Sequence, residues 1–467
     1  MSEVMSTMLS GLLSYLTRHR EVTAELVSLA WPALLQGLLL TVVFLTDRIL
    51  LGHYHVDGLG VMQLCGPALW SLFSLCGSLD VGALALMGRA KGRDDQVQLI
   101  NTLRSSALLA LLMGLLILLI SPWITDGIIA WMGRETPELH EVARLYFFPL
   151  FLCAPFKLLG GLFFSALQSQ SDTKTPMWIS GVCGAVNLGL SALFIYGYGP
   201  VPSLGIAGAA WGSAIAFTLQ AILAGWRLTK LIPGALSIMD CLVDLAASIP
   251  ALTSALKPVL KVSRGVLGER LGYHGAFLLF TSLVAGLGKV DMSAHQVLLA
   301  VESIGFICAD AFGVAASALV AQSMGQDDHE RAQAVGRLAS LTGGALLFTL
   351  SIIFVLIPEA LISCVTSDPQ VIITGVPCLQ VAALAQPVMA ITSASSGALR
   401  GAGETLSPLI ASLLGPAALR LFFCWLCAYH LGWGILGIWI GSTIDWLGRA
   451  IYLTYAFERG RWRLIRL

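Results

Sequence analysis

Charge is what this chain has least of. Asp, Glu, Lys and Arg make up 12% of its 467 residues, against about 25% in a soluble domain. So few charges cannot solvate a globule of this size, and lipid must take the place of water over most of its surface. The formal net charge is zero, so no basic or acidic face points to nucleic acid, and no nucleic-acid partner is expected. The motifs of enzymes are missing as well. There is no HExxH, no GxSxG, no P-loop and no His–Cys grouping at metal-ligand spacing, which excludes the common hydrolase, ATPase and zinc chemistries. No catalytic residue and no resident cofactor is expected. The ten cysteines contain a single C-x-x-C, Cys424/Cys427 in FFCWLCAY. Without a second pair it reads as two small apolar residues on one helix face. No basic stretch precedes the first apolar run, and Arg18-His19-Arg20 follows it, so no cleavable signal peptide is expected.

What the chain has in abundance is apolar length. Hydrophobic residues make up 57% of it and the mean hydropathy is +0.82. Spans of ~20 residues cross a bilayer, and twelve apolar segments are read here. The first six are 26–52, 58–88, 103–120, 143–167, 177–198 and 204–228. The second six are 266–288, 293–324, 335–358, 371–399, 408–429 and 433–456. The reading is an all-α membrane protein of twelve transmembrane helices.

The two sets of six are copies. SALQSQSDTKTPM, from Ser165, returns as GALRGAGETLSPL, from Gly397, with Ala166, Leu167, Thr173 and Pro176 falling on Ala398, Leu399, Thr405 and Pro408. Pro137 and Pro155 map to Pro369 and Pro387, and Gly92-x-Asp94-Asp95 maps to Gly325-x-Asp327-Asp328 after a one-residue slip. GIAGAAWGS, from Gly205, maps to GILGIWIGS, from Gly434, so that Gly208-x-x-x-Gly212 and Gly437-x-x-x-Gly441 are equivalent. Small residues four apart let helix backbones approach closely. A duplicated helical bundle is the architecture of a secondary transporter, with its site between the halves.

Lys and Arg gather in alternate connections. Arg89, Lys91, Arg93 and Arg104 surround the second, Lys257, Lys261 and Arg264 the sixth, Arg331 and Arg337 the eighth, and Arg459, Arg461, Arg463 and Arg466 the tail. The positive-inside rule then places both termini in the cytoplasm. An even span count per half makes the repeats parallel. The expected organisation is a cytoplasmic N-terminal segment (1–25), an N-terminal six-helix lobe (26–228), a cytoplasmic linker (229–262), a C-terminal six-helix lobe (263–457) and a basic tail (458–467). The linker reads as an amphipathic surface segment broken at Pro250 and Pro258.

Ionised side chains inside spans cost about 2.5–3.5 kcal/mol each on insertion scales and face the bundle interior or a wet cavity. In the second half these are Glu269 and Arg270, Glu302 and Asp310, Arg420, and Asp445 with Arg449 four residues later. Two readings stay open for them: a charge-balanced network that locks the lobe, or proton or substrate sites at Glu269, Glu302, Asp310, Arg420 or Asp445. Asp310 stands out because no basic residue lies near it in sequence. In the first half, Asp80 and Lys157 have opposite signs at comparable depth and read as a structural pair. Asp47 reads either as a cavity carboxylate or as an interfacial Asp paired with Arg48.

The strings PALLQGLLLTVVFLTDRILLG from Pro32, GVLGERLGYHGAFLLFTSLVAGLGKVDMSAHQV from Gly265, GALRGAGETLSP and LGWGILGIWIGSTIDWLGRA, in this order and duplicated, resemble the multidrug and toxic compound extrusion (MATE) family of cation-coupled antiporters. The resemblance runs from about Leu26 to Ala456. It implies two six-helix lobes around a central cavity, and alternating access that exports amphipathic, often cationic, compounds in exchange for Na⁺ or H⁺ as coupling ion. It assigns cation coupling in the N-terminal lobe to Asp47, Asn187 and Ser213, with Gln36 on the same span as Asp47, and allows Na⁺ at Asp47 and Asn187. The family's second aspartate, four residues after the Asn, is Ser191 here, which removes a carboxylate pair. Lipid-linked oligosaccharide flippases of the same superfamily are the alternative. The implied partners are small-molecule substrates and the lipid bilayer. A monomer in a cell membrane, the bacterial inner membrane, is expected.

Overall fold

The structure is a computed structural model describing residues 18–54, 56–132, 137–234 and 245–465. The start of the N-terminal segment, the middle of the linker and the last two residues of the tail lie outside the described residues. Helix dominates because a chain in lipid must satisfy its own backbone N–H and C=O groups, and a helix does so within one segment. The only strand-like feature among the described residues is an isolated bridge between Tyr198 and Val201.

In chain order the long helices are α1 (Arg20–Tyr54), α2 (Val56–Cys76), α3 (Ser78–Gly92), α4 (Gln96–Met132), α5 (Pro137–Leu152), α6 (Ala154–Ser169), α7 (Lys174–Tyr196), α8 (Ile206–Leu231), α9 (Leu245–Ala285), α10 (Lys289–Gly325) and α11 (His329–Leu356). After the short α12 (Pro358–Ser363) come α13 (Pro369–Gly401), α14 (Leu406–His430) and α15 (Gly434–Glu458). Among the described residues nine helices are long and apolar enough to cross a membrane, and the bent pair α5–α6 meets the same test when its two parts are taken together. Helices α9 and α15 have the length but carry charge along it, and fall short of that apolarity.

Four local features depart from a uniform set of rods. The expected second span is two helices, α2 and α3, meeting at Gly77. The fourth bends by 49° between α5 and α6. Pro149 and Pro155 flank the break at Cys153, and two missing N–H donors in one stretch weaken the helical ladder there. The equivalent α13 contains Pro377 and Pro387 yet runs unbroken. The linker expectation needs correction: α9 passes straight through Pro250 and Pro258 into the seventh span, where the sequence predicted a broken surface segment. Its 41 residues extend about 60 Å, twice the ~30 Å hydrocarbon core. Finally, α14 contains two π-helical turns, Gly415–Arg420 and Leu426–His430.

The described chain forms two compact units. One comprises Leu35–Ala90 and Asp94–Leu267; the other comprises Met1–Leu34, Lys91–Arg93 and Gly268–Leu467. Helix α1 therefore divides at Leu34/Leu35, and α9 at Leu267/Gly268. In the first unit α7 and α8 touch backbone to backbone. An added Cβ at Gly208 would lie 2.5 Å from the Phe194 carbonyl carbon, and one at Gly212 would lie 2.5 Å from Ser191 Oγ. In the second unit the same motif seats α15 on α14: a Cβ at Gly437 would meet Ala428 N, and one at Gly441 would meet Cys424 N, each at 2.5 Å. Helices α10 and α13 cross as closely, with Gly397 against the Gly313 carbonyl and Gly401 against that of Ser317. Around that crossing the second unit buries a core that includes Leu26, Leu319, Leu338, Leu399 and Trp462.

The duplication is visible in single dihedral angles. Asp94 and Asp327, equivalent in the repeat, both take the left-handed conformation at φ 55°. The aspartate after each caps the next helix: Asp95 Oδ1 accepts from Gln98 N at 2.9 Å, and Asp328 Oδ1 from Arg331 N at 2.8 Å. After α6 and α13 the match recurs. Asp172 Oδ1 accepts from Thr175 N, and Glu404 Oε1 from Ser407 N, both at 2.9 Å.

Candidate functional site

Within the first unit a cavity of about 350 Å³ lies among α1, α2, α3, α6, α7 and α8. Its lining includes Gln36, Asp47, Trp70, Phe73, Asp80, Lys157, Asn187, Ser213 and Phe217. Gln36 and Asp47 share one face of α1, since eleven residues make about three turns. Asp47 is 5% exposed and Asn187 4% exposed, so neither side chain is left to water. Arg48 is exposed and is not the partner of Asp47.

Three side chains from three helices converge on one point. Ser213 Oγ lies 3.5 Å from Asp47 Oδ2 and 2.9 Å from the Asn187 amide. The amide orientation follows from its neighbours. With nitrogen toward α1, it donates to Asp47 Oδ1 at 3.1 Å, while its oxygen accepts from Ser213 N at 3.2 Å and Ser213 Oγ at 2.9 Å. The hydroxyl has one proton, and the shorter contact takes it. Asp47 thus receives one firm hydrogen bond and keeps most of its roughly four acceptor sites for the cavity. A carboxylate with a hydroxyl oxygen beside it offers the oxygen donors that a hard cation takes, while the amide oxygen is already engaged by Ser213. Among the described residues no group of three or more His, Cys, Asp or Glu converges as a transition-metal site would require.

Ser191 follows Asn187 by one turn of α7 and is fully buried against Gly212. Asp80 and Lys157 both line the cavity. Asp80 Oδ2 fits where Gly161 lacks a Cβ, and Lys157 Nζ sits 3.4 Å from the centre of the Phe217 ring and 5.0 Å from that of Phe73. A cation over an aromatic face is attracted to the ring quadrupole, so the wall already contains one cation shared by two aromatic faces.

The second unit contains a buried polar cluster. Asp445 on α15 has no exposed surface. Arg449 Nε donates to its Oδ1 at 2.9 Å and Nη2 to its Oδ2 at 2.8 Å. Arg420 Nε, from α14, donates to Oδ2 at 2.9 Å. Gly415 makes room: a Cβ there would lie 2.4 Å from Asp445 Oδ1 and 2.6 Å from Arg449 Cδ. The π turn that begins at Gly415 ends on Arg420, and π turns inside α-helices concentrate at functional positions. Arg449 also stacks on Trp446 at 3.7 Å, and Arg420 lies 5.4 Å from the Phe280 ring. Beside this cluster is a small pocket of about 50 Å³ lined by Tyr273, His295, Glu302, Arg420, Trp439 and Trp446, among others.

The other C-terminal candidates lie elsewhere. Glu269 approaches Arg400 Nη2 at 3.9 Å, while Arg400 itself bonds Ser396 Oγ at 2.9 Å. Asp310, singled out by its sequence isolation, is exposed while Glu302 on the same α10 is buried. Eight residues turn a helix about 80° past two full turns, enough to carry Asp310 off the buried face, and it does not join the cluster. His295 lines the same small pocket as Glu302 and was not among the residues expected there. A signal was available: His295 and Glu302 are seven apart, two turns on one helix face. Among the aromatic side chains, Trp70 and Phe73 line the larger cavity and Phe280 and Phe306 the smaller one. Met87 and Phe163 are buried elsewhere.

The sequence pattern of the MatE family matches residues 32–193 and again residues 266–426, one match per repeat. The chain belongs to the MatE family. It is 27% identical over 443 residues to a probable multidrug resistance protein NorM of Thermotoga maritima, covering 95% of this chain and 93% of that one. It is 26% identical over 448 residues to the multidrug resistance protein MdtK of Yersinia pseudotuberculosis, covering 94% and 95%. Among solved structures, a MOP superfamily transporter from Pyrococcus furiosus superposes with a TM-score of 0.85 at 18% identity, covering 94% and 95% of the two chains. The Vibrio cholerae MATE transporter VcmN in its bent form does so at 0.81 and 17%, covering 95% and 98%. At this identity the superpositions speak to fold. As a MatE family member with this run of apolar helices, the chain is a multi-pass membrane protein.

Proposed function

We propose that this MatE protein is a secondary active exporter of amphipathic, often cationic, compounds, working by alternating access in exchange for Na⁺ or H⁺. The observation that carries the reading is the meeting of Asp47, Asn187 and Ser213 on the wall of a cavity that also holds aromatic faces. A carboxylate that gains and loses a cation there changes the charge of the cavity, and so its affinity for a cationic cargo. The multidrug-resistance names of the relatives support the cargo class. One unit charge crossing 100 mV supplies about 2.3 kcal/mol, which sustains a gradient of about 40-fold at 1.4 kcal/mol per decade. The distribution of Lys and Arg supports cytoplasmic termini, the bacterial sources of the relatives support residence in a bacterial inner membrane, and the chain is proposed to act as a monomer. Ser191 in place of a second acid leaves one carboxylate in the N-terminal coupling group, enough for one monovalent cation per cycle.

The test is reconstitution into liposomes with imposed Na⁺ or pH gradients and ethidium as cargo. Flux should follow one of the two gradients, and Asp47→Asn should uncouple it. Flux indifferent to both gradients would overturn the reading.

A further inference from the structure

The bend of the fourth span leaves a second hollow in the first unit, a groove of about 370 Å³. Pro149, Cys153 and Phe156 line it from the α5–α6 break, and Trp211, Ile215, Thr218 and Ile222 line it from α8. Helices α6 and α8 each turn one face to this groove and another to the Asp47 cavity, which takes Lys157 and Gly161 from α6 and Ser213 and Phe217 from α8. The hydroxyl and the thiol of the groove are already engaged. Thr218 Oγ1 donates to the Ala214 carbonyl at 2.9 Å, and Cys153 Sγ to that of Leu150 at 3.3 Å. Phe156, Ile215 and Ile222 are exposed. In a multi-pass membrane protein, what meets such a surface is hydrocarbon. A helix of another chain, about 10 Å across, would fill a volume of this size in less than one turn, whereas an acyl chain is slender enough to lie along it.

We propose that the groove holds one acyl chain of an anionic phospholipid whose phosphate sits at Lys230. The place of the headgroup follows from α8. Trp226 lies four residues past Ile222 on the same face and is exposed. One turn further, Lys230 holds its Nζ 3.9 Å from the centre of the Trp226 ring. Trp gathers at the membrane–water interface, so the ammonium beyond it stands at headgroup depth. Ten residues of α8 rise about 15 Å, half of the ~30 Å hydrocarbon core. The stretch from Trp226 back to Ala216 therefore crosses one leaflet, and Ile222 and Thr218 border its acyl chains. Charge selects the lipid. Arg227 is paired with Asp172 at 3.3 Å, whereas Lys230 is exposed and forms no ion pair among the described residues. A lipid phosphate supplies the missing anion, and a zwitterionic headgroup would bring a second cation beside Lys230. The site rests on membrane residence and on the bend, so it stands whatever the cargo or the coupling ion.

The test places the full-length protein in phosphatidylcholine nanodiscs with a small fraction of phosphatidylglycerol carrying a photoreactive diazirine in its acyl chain, and maps the adducts by peptide mass spectrometry. Capture should concentrate on residues 153–156 and 215–222. Unlabelled phosphatidylglycerol should displace it, and the same amount of added phosphatidylcholine should not. Leu112, Leu116 and Leu119 of α4 are exposed and report bulk lipid. Lys230→Gln, at an exposed position where folding is not at stake, should lower capture in the groove about fivefold, the worth of one Lys near an anionic surface, and leave capture on α4 unchanged. Thr218→Phe fills the groove and should abolish capture there alone. Groove capture no stronger than that on α4, equal displacement by both lipids, or indifference to Lys230→Gln would each overturn the proposal. So would labelling of α4 with none in the groove, which is the result expected if a second copy of the chain covers it.

Discussion

Arg449 Nε donates to Asp445 Oδ1 at 2.9 Å from one turn further along the same helix, and Arg420 on the adjacent helix donates to the other oxygen at 2.9 Å. One buried acid therefore holds two buried cations. Removing the shared partner leaves both uncompensated, and breaking a buried pair this way costs about 3–5 kcal/mol. Asp445→Ala should lower the thermal midpoint sharply and reduce yield. Replacing all three with apolar residues of similar volume should recover much of that loss, measured by thermal unfolding in detergent.

In the N-terminal cavity, Ser213→Ala removes a hydroxyl bonded to Asn187 and close to Asp47. A neutral hydrogen bond contributes about 0.5–1.5 kcal/mol, and this one orients the amide that donates to Asp47, so the apparent affinity for the coupling cation should fall by up to about tenfold with little change in unfolding temperature. An equal loss of stability and coupling would mean that the hydroxyl only holds α7 to α8.

Gly212 and Gly441 occupy equivalent places in the two repeats, and each meets a neighbouring helix where a Cβ would lie 2.5 Å from another atom. Overpacking of this kind costs about 1–3 kcal/mol. Gly212→Ala and Gly441→Ala should destabilise by similar amounts, and a thermal melt showing either substitution as neutral would mean that the interface yields easily there.

At the far end of α15, past the membrane-spanning stretch, Glu458 is held below the ordinary carboxylate range by hydrogen bonds from Arg337, against the opposing effect of partial burial. A depressed folded-state value contributes stability above the unfolded-state value of about 4.5, and that contribution is lost as pH falls through the folded one. The following turn is anchored nearby, with Trp462 fully buried and its Nε1 donating to the Phe457 carbonyl at 2.7 Å. Hydrogen exchange over residues 457–465 should be slow at neutral pH and speed up well below pH 4.5, and Arg337→Ala should speed it at neutral pH.

Much of the architecture was legible in the sequence because lipid imposes a one-dimensional rule. Long apolar runs become helices, and paired Gly-x-x-x-Gly motifs become close contacts, at Gly208–Gly212 and Gly437–Gly441 alike. The repeat was legible to the level of single turns, since Asp94 and Asp327 share the same rare backbone angle that short polar side chains tolerate. Proline was misleading. Pro250 and Pro258 stand inside a continuous helix, whereas the fourth span bends by 49° between Pro149 and Pro155.

The order and composition of this chain by themselves determined that it lives in a membrane, that it folds as two copies of one helical plan, and that a handful of acids and bases had to find shelter inside it. Only the tertiary structure decided which of them meet: Asp47 with Asn187 and Ser213, Asp445 between Arg420 and Arg449, His295 and Glu302 around one pocket, and Asp310 left outside. The reason is physical. Hydropathy is set by each residue and can be read along a line, whereas the partner of a buried charge is set by the rotation and crossing of helices far apart in the chain.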